Sequence, residues 1–294
     1  MRLATFTKGG PARIGLVEGD EIVDLASANS RLPNDMCVLL AGGDEALRAV
    51  RAAARRARRI PLSRVRLEAP VPQPRKFLGL GLSYRSHAAE LTARGRPLPP
   101  HQNWFNKQVT AVGGPFDPIH MPRVSSQLDY EGEVALVIGR RARHVRRQDA
   151  HAVIAGFMIC NDVSVRDWQQ RAPTAMLGKS FDTHGPTGPW LTTADELDDP
   201  TNLGVRTWVD GELRQNGSTA ELMYGFGEMI EELSTVFTLE PGDILTTGTP
   251  SGVAQYMETP RWLKVGQRVR VEVAGLGGIE NEVIEEPGQI RTAR

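Results

Sequence analysis

The stretch that decides the fold is LDYEGEVALVIG, residues 128–139. Asp129, Glu131 and Glu133 alternate along its first half, and an unbroken apolar run, 134–138, follows them. Because alternate residues of a β-strand lie on the same face, about 6.6 Å apart, the pattern predicts a half-buried strand that carries three carboxylates in a row. Ionised carboxylates at close range repel one another, and burial adds a desolvation cost. The row therefore requires a solvent-exposed face, a pairing arginine or lysine, or a divalent cation between the acids.

Composition places the chain among ordinary soluble globular proteins, with 294 residues of which 40% are hydrophobic and 24% are charged. Lys plus Arg and Asp plus Glu each number 35, so the formal net charge is zero and gives no general attraction to nucleic acid or to an anionic membrane. Two cysteines without a CxxC pair argue against a disulfide framework and a thiolate zinc site. The start has no signal-like apolar core, and no apolar run approaches the ~18 residues of a membrane span. The expectation is a cytoplasmic protein without a nucleic-acid or membrane partner.

Residues 1–70 are predicted to form a small N-terminal α+β domain, since short strand-like segments precede a helix-like segment, DEALRAVRAAARRARRI, at 44–60. The arginines of this helix could form a nucleic-acid patch, but the zero net charge favours a solvated helix face. A proline-rich hinge, PVPQPRK at 70–76, predicts the boundary to a second domain at 71–294.

The rest of the chain is mostly strand-like, and its strands do not alternate regularly with helices. The expected fold is therefore strand-rich α+β rather than a doubly wound sheet. One long helix is predicted after a capping box formed by Ser218 and Glu221, and the Pro-Gly turn at 241–242 follows its end. Its apolar positions show helical spacing: Leu222, Phe226, Met229, Ile230, Leu233 and Phe237.

Two further segments carry candidate chemical groups. Asp162 follows the apolar run 156–160, where a buried carboxylate needs a partner; the alternative is a helix cap by Asp162 or Asp167. His87 and Glu90 lie three residues apart in a predicted helix, so the carboxylate can fix the tautomer of the imidazole and raise its basicity. The alternative for this pair is a surface position without a catalytic role.

A lysine and a turn complete the set of candidates. Lys179 lies among small residues in GKSFDTHGP, residues 178–186, where it is either a point charge for an anionic substrate or a loop lysine. The segment PGDILTTGTPSGV, residues 241–253, leads a short strand into a loop around Thr249. Its amides and hydroxyls could hold a carboxylate, and the alternative is a plain turn.

Taken together and in this order, these segments resemble the fumarylacetoacetate hydrolase family from about Lys76 to Pro287. The resemblance implies a strand-rich roll that contains the site, a homodimer, and the small N-terminal domain found in many members. Two positions depart from the family pattern, Ser83 where Asn is common and Gln108 where Pro is usual. The matching blocks are YRSHAAE at 84–90, DYEGEVALVIG at 129–139, NDVSVRD at 161–167, GKSFDTHGP at 178–186 and PGDILTTGTPSGV at 241–253.

The resemblance also implies roles for individual residues. The metal ligands fall on Glu131, Glu133 and Asp162, and a set of carboxylates without His or Cys suits Mg²⁺ or Mn²⁺, with Ca²⁺ as the alternative. The catalytic groups fall on His87, Glu90 and Lys179. The positions expected to face the substrate are Tyr84, Arg85, Lys107, Gln169 and Thr249.

The expected reaction is the hydrolysis of a C–C bond in a 2,4-diketo acid of the acylpyruvate type. His87 with Glu90 would activate water, Lys179 would stabilise the developing oxyanion, and the metal would stabilise the enolate of the departing oxo acid. Isomerisation or tautomerisation of a hydroxymuconate-type diacid and decarboxylation of oxaloacetate at the same site are alternatives. A non-catalytic binding protein on the same scaffold is an alternative of another class.

Two other functions are excluded by local sequence. The segment GLGLSY has glycines at 79 and 81 but Tyr84 where a dinucleotide-binding turn needs its third glycine. The segment GKSFD lacks the closing glycine of a serine-hydrolase nucleophile elbow.

Overall fold

The computed structural model describes residues 1–288 and confirms a strand-rich α+β fold. The helices are α1 (Met36–Ala41), α2 (Gly43–Ala54), α3 (Arg85–Thr92), α4 (Arg166–Gln169) and α5 (Phe226–Val236). The strands are β1 (Arg2–Thr7), β2 (Arg13–Glu18), β3 (Glu21–Asp24), β4 (Arg58–Pro61), β5 (Arg66–Leu67), β6 (Phe77–Gly81), β7 (Asn103–Lys107), β8 (Val112–Gly113), β9 (Ile119–Met121), β10 (Leu128–Asp129), β11 (Gly132–Ile138), β12 (Ile154–Asn161), β13 (Ser164–Val165), β14 (Gly185–Thr193), β15 (Gly204–Val209), β16 (Glu212–Ser218), β17 (Ile244–Thr246), β18 (Arg268–Val273) and β19 (Gly277–Glu285).

Two large sheets organise these strands. The first has the order β4-β3-β2-β1-β14-β12-β11-β17-β6-β7, and the second has the order β16-β15-β18-β19-β9. The N-terminal strands join the first sheet where β1 pairs with β14 in antiparallel register, Leu3 opposite Leu191. The small N-terminal domain therefore extends the sheet that holds the site, and the domain boundary near residue 70 stays a prediction.

Strand β11 is buried on both faces, so the expectation of a half-buried strand is wrong. Val134, Leu136 and Ile138 pack in the core that the strand shares with β15, β18 and α5. Ala135 and Val137 face the opposite way, into a second core with α1 and α2. Full burial of a valine or leucine side chain contributes roughly 1.5–3 kcal/mol, so this central strand is held firmly from both sides.

The helix predicted over 44–60 is too long at its C-terminal end. Helix α2 ends at Ala54, and residues 58–61 form β4 instead. Ile60 lies opposite Ile22 of β3 and is buried, so pairing with an open sheet edge overrides the local helix propensity of the Ala-Arg run.

The helix predicted after Ser218 begins later than expected. Ser218 does cap a turn, by accepting a hydrogen bond from the Ala220 amide at 3.2 Å, but that turn ends at Glu221. Helix α5 begins at Phe226, where Glu228 accepts a hydrogen bond from the Gly225 amide at 2.8 Å. The prediction that this helix begins at a Ser218–Glu221 capping box is therefore wrong.

The ends of neighbouring strands bring the acidic residues together. Strands β11 and β12 are antiparallel partners, with Gly132 opposite Asn161, so the residues flanking this pair lie at one edge. The Asp162 amide donates to the Glu131 carbonyl at 2.8 Å and continues the pairing past the strand ends. Among residues 1–288, no helix has the length and apolar character needed to cross a lipid bilayer.

Candidate active site

Three buried carboxylates converge at the edge of β11 and β12. Glu131, Glu133 and Asp162 each offer an oxygen, and these oxygens all lie within 4.8 Å of one another. The exposed fractions are 5% for Glu131, 1% for Glu133 and 0% for Asp162, so the solvent-exposed face considered from the sequence is wrong. The helix-cap alternative for Asp162 does not hold either, because α4 begins at Arg166 without a side-chain cap.

Three buried cations surround these acids. Lys179 Nζ lies 2.6 Å from Glu131 Oε2 and 2.7 Å from Asp162 Oδ2. Arg166 Nη1 lies 2.7 Å from Glu131 Oε1, and Lys107 Nζ lies 2.6 Å from Asp162 Oδ1. The lysine and arginine pairing considered from the sequence is therefore present for two of the three carboxylates.

Glu133 is the exception, since within residues 1–288 its carboxylate has no ion pair. It accepts a hydrogen bond from the Gly248 amide at 2.9 Å. Gly248 has φ +88°, and a Cβ there would overlap Ser83 Oγ, so this turn requires glycine. Burial raises the pKa of Glu133 well above its usual value, and the negative charges of Asp162 and Glu131 raise it further.

The electrostatics of the triad fit a divalent cation. Burial alone would raise the pKa of Glu131, but Lys179 and Arg166 hold it below its usual value, so this carboxylate is ionised. Glu133 beside it has a raised pKa and no ion pair among residues 1–288, so a nearby positive charge would be needed to hold it ionised. Three converging oxygen donors without His or Cys suit Mg²⁺ or Mn²⁺, and an ion there would supply the missing positive charge.

Helix α3 forms the predicted pair of His87 and Glu90. Because the two residues lie about one turn apart, His87 Nδ1 reaches Glu90 Oε2 at 2.8 Å. The other oxygen of Glu90 accepts a hydrogen bond from the Gly252 amide at 3.0 Å, which fixes the carboxylate. With Nδ1–H donating to the carboxylate, Nε2 of His87 is the nitrogen that can accept a proton.

A cavity of about 720 Å³ joins the imidazole of His87 to Glu131, one of the three acids. His87, Glu131 and Lys179 line it, together with Gln169 and Thr249 from the predicted substrate-facing set. The Thr249 hydroxyl also donates to the Gly132 carbonyl at 2.9 Å, which anchors the turn over β11. The cavity therefore combines an imidazole, an ammonium group and one carboxylate of the acid triad, side chains that can take part in proton transfer.

The other predicted substrate-facing residues lie elsewhere. Tyr84 is fully buried, and burial first and the charge of Glu133 second raise the pKa of its hydroxyl. Arg85 is exposed, and its guanidinium donates to the Ala220 carbonyl at 3.4 Å. Lys107 is buried against Asp162. None of Tyr84, Arg85 and Lys107 lines the described cavity, and their contact with substrate stays a prediction.

Two cavity residues had no role in the sequence interpretation. Arg166 has no role in that interpretation, although an arginine just after a strand-end aspartate is a signal for charge pairing. Tyr256 lies with its ring centroid 5.3 Å from that of His87. Its segment has no periodic pattern, so only the tertiary structure reveals this contact.

Comparison with protein families agrees with this geometry. Residues 76–284 match the model described as fumarylacetoacetate (FAA) hydrolase, C-terminal, and residues 1–70 match the model described as Rv2993c-like, N-terminal. The chain is 38% identical over 291 residues to the mitochondrial oxaloacetate tautomerase of Xenopus laevis. The aligned region covers 97% of this chain and 90% of that protein.

Solved structures lead to the same family. Maleylpyruvate hydrolase from Sphingobium sp. SYK-6, in complex with manganese(II) and pyruvate, is 34% identical with a TM-score of 0.82, over 98% of this chain and 100% of that chain. The 2-hydroxyhepta-2,4-diene-1,7-dioate isomerase from Mycobacterium marinum is 30% identical with a TM-score of 0.77, over 98% and 100% of the two chains. With both a matching family model and full-length relatives, this chain belongs to the fumarylacetoacetate hydrolase family.

Proposed function

We propose that this protein is a divalent-metal-dependent hydrolase that cleaves a C–C bond in a 2,4-diketo acid. The observation that carries the proposal is the cavity that His87, Lys179 and Glu131 line together. Such a cavity brings a general base within reach of a substrate that the acid cluster and its ion would hold.

Glu131, Glu133 and Asp162 would hold Mg²⁺ or Mn²⁺. The ion would polarise the keto and carboxylate oxygens of a 2-oxo acid and so make the adjacent C–C bond easier to break. The manganese(II) and pyruvate bound together by the Sphingobium hydrolase support this pairing of a hard dication with an oxo acid.

The side chains of this chain supply the proton transfers. His87 Nε2 takes a proton from water while Glu90, 2.8 Å from Nδ1, stabilises the imidazolium that forms. The resulting hydroxide adds to the distal carbonyl, and Lys179 stabilises the oxyanion there. When the C–C bond breaks, its electron pair passes to the oxo-acid fragment, which takes the proton back from His87. Thr249 and Gln169 line the same cavity, and the Gln169 side-chain NH₂ would donate to the substrate carboxylate.

Tautomerisation of oxaloacetate is the second candidate. The 38% identity to the Xenopus laevis tautomerase over nearly the whole chain favours it. His87 alone could move a proton between carbon 3 and the enol oxygen, without water. The contact of Glu90 with His87 Nδ1 at 2.8 Å favours the hydrolase, because a carboxylate that stabilises the imidazolium supports the activation of water.

A substrate panel separates the two reactions. The purified protein, loaded with Mn²⁺ or Mg²⁺, is given acylpyruvates, maleylpyruvate, hydroxymuconates and oxaloacetate, and pyruvate release and enol–keto conversion are followed separately. Pyruvate release from a diketo acid that stops on chelation supports the hydrolase. Enol–keto conversion without C–C cleavage supports the tautomerase, and no metal-dependent turnover on any of them rejects both.

A further inference from the structure

Asp129 is the acid of the DYEGE segment (129–133) that lies outside the acid triad, and it accepts hydrogen bonds from several protein groups. Asp129 has a fully buried side chain and does not belong to the acid triad. Its Oδ1 accepts hydrogen bonds from the Tyr130 and Ala254 amides, both at 2.9 Å. Its Oδ2 accepts from the Gln255 amide at 3.1 Å and from Arg166 Nε at 2.9 Å. One carboxylate therefore joins three separate segments of the chain.

The first of these connections leads to the acid triad. Arg166 pairs with Asp129 through Nε and Nη2, and its Nη1 lies 2.7 Å from Glu131 Oε1. The same Nη1 donates to Gln169 Oε1 at 2.9 Å, and Gln169 lines the cavity. Asp129 thus sets the orientation of the guanidinium that contacts both a triad carboxylate and a cavity amide.

The second connection leads to the His-Glu pair. The segment 252–256, here named the 252–256 loop, is held by Asp129 through two amides. At one end of this loop the Gly252 amide donates to Glu90 Oε1 at 3.0 Å. At the other end the ring of Tyr256 lies 5.3 Å from the ring of His87. The loop therefore contacts both members of the pair.

We propose that Asp129 is a positioning residue that holds the 252–256 loop against His87 and Glu90. Through Arg166 it also fixes the position of this pair relative to Glu131. The proposal rests on the proposed role of His87 and Glu90 in proton transfer. A carboxylate is required at this position because only donors face it. An asparagine would turn an NH₂ group toward backbone amides or the guanidinium and would leave Arg166 with less negative charge.

Two substitutions test the contact between Asp129 and the 252–256 loop, one in each partner. Asp129→Asn (D129N) removes the charge and one acceptor. Ala254→Pro (A254P) leaves the carboxylate and Arg166 intact but deletes one loop amide. Ala254 is the first residue of a short 3₁₀ turn, where proline is tolerated, and Val253 before it has φ −64° and ψ 148°, which a following proline allows.

Asp243→Asn (D243N) is the matched control. Asp243 is also fully buried, accepts the amides of Lys76 and Glu240, and pairs with Lys76 Nζ at 2.8 Å. It contacts neither the cavity nor the 252–256 loop. It therefore reports what the loss of any buried, multiply bonded carboxylate does to stability.

The readouts are amide hydrogen exchange of segments 85–92 and 250–258 in the Mn²⁺-loaded protein, the melting temperature, and kcat, KM and the pH profile of kcat/KM. In D129N and A254P we expect exchange in both segments to rise at least tenfold, with kcat at least tenfold lower and an altered pH profile. In D243N we expect a lower melting temperature, unchanged exchange in these segments and kcat within twofold of the parent.

Unchanged exchange in A254P and D129N, or the same exchange and kinetic changes in D243N, would overturn the proposal. If D129N does not fold, A254P decides alone. Hydrogen exchange needs no substrate, so a parent protein without turnover rejects the proposed function and leaves the test of Asp129 complete.

Discussion

Lys179 Nζ lies between Glu131 Oε2, at 2.6 Å, and Asp162 Oδ2, at 2.7 Å. One ammonium group thus joins two of the three carboxylates that would hold a metal ion. Burial alone would lower the pKa of Lys179, but Asp162 and Glu131 raise it, so the lysine is charged. A bound dication would repel this charge and compete with it for the same oxygens.

Replacing this lysine should therefore separate metal binding from turnover. In Lys179→Met (K179M) we expect Mn²⁺ affinity to rise about tenfold, because a like charge near the ion is removed, and kcat to fall at least 100-fold, because the oxyanion loses its cation. Titration calorimetry and steady-state kinetics measure the two effects. Lys76→Met (K76M), at a partly buried pair outside the cavity, should change neither. Weaker Mn²⁺ binding in K179M would contradict competition between the lysine and the ion.

The neighbouring glutamates should respond to neutralisation in opposite directions. Without metal, Glu133→Gln (E133Q) should raise the melting temperature at neutral pH, because the raised pKa of Glu133 means that folding must protonate this carboxylate or bury its charge, and glutamine avoids that cost. Glu131→Gln (E131Q) should lower the free energy of unfolding by roughly 1.5–3 kcal/mol, because Lys179 and Arg166 each lose one of their two carboxylate partners and keep only Asp162 and Asp129. Thermal melts in the presence of a chelator measure both.

The same two variants test the metal site. At a free concentration 100 times its Kd, Mn²⁺ should stabilise the parent protein by about 2.7 kcal/mol. Both variants should lose most of this gain, because each lacks one of the charged ligands. If Mn²⁺ stabilises E133Q as much as the parent, Glu133 is not a ligand.

The sequence predicted the chemical groups of the site because their periodicity is local. The spacing of His87 and Glu90 depends only on helix geometry, and it places the two side chains in contact. The alternation at 129–133 brings Glu131 and Glu133 together but does not bring Asp129 to them. The ordered family blocks then identified the residues that meet across strands. These predictions needed no knowledge of which surfaces pack against one another.

Tertiary contacts decided what the sequence could not. Residues 58–61 have a helix-like composition, yet an open edge of β3 pairs with them as a strand. Asp129 follows the same alternation as Glu131, but the 252–256 loop and Arg166 bind it, and these come from segments 37 and 125 residues away. Lys107, which the resemblance places toward the substrate, pairs with Asp162, and its contact with substrate stays a prediction. Each outcome depends on a neighbour that is remote in sequence.

Stability should fall with acid through His184. Burial lowers the pKa of this imidazole from 6.5 to about 3, and Nε2 donates to the His120 carbonyl at 2.8 Å, so His184 is neutral in the folded protein. The unfolded chain binds a proton below about pH 6.5 and the folded chain does not. The contribution of neutral His184 to the free energy of unfolding is complete above about pH 6.5. It is lost at about 1.4 kcal/mol per pH unit as the pH falls toward 3.

Urea unfolding between pH 7 and pH 4 checks this linkage. In His184→Gln (H184Q) the free energy of unfolding should depend less steeply on pH than in the parent, by that same slope. His151→Gln (H151Q), at an exposed histidine, should keep the slope of the parent. Equal slopes for H184Q and the parent would mean that His184 is protonated in the folded state.

The His87–Glu90 pair should affect the turnover rate but not the affinity for the metal ion. Glu90 is hydrogen-bonded to His87 Nδ1 and to the Gly252 amide, and it is not part of the acid triad. In Glu90→Gln (E90Q) the amide can no longer stabilise an imidazolium, so kcat should fall by about 10²–10⁴-fold. Mn²⁺ affinity and KM should stay within about threefold of the parent, since no metal ligand and no cavity cation changes. Calorimetry beside steady-state kinetics provides the check, and a loss of Mn²⁺ binding as large as the loss of kcat would place Glu90 in the metal site instead.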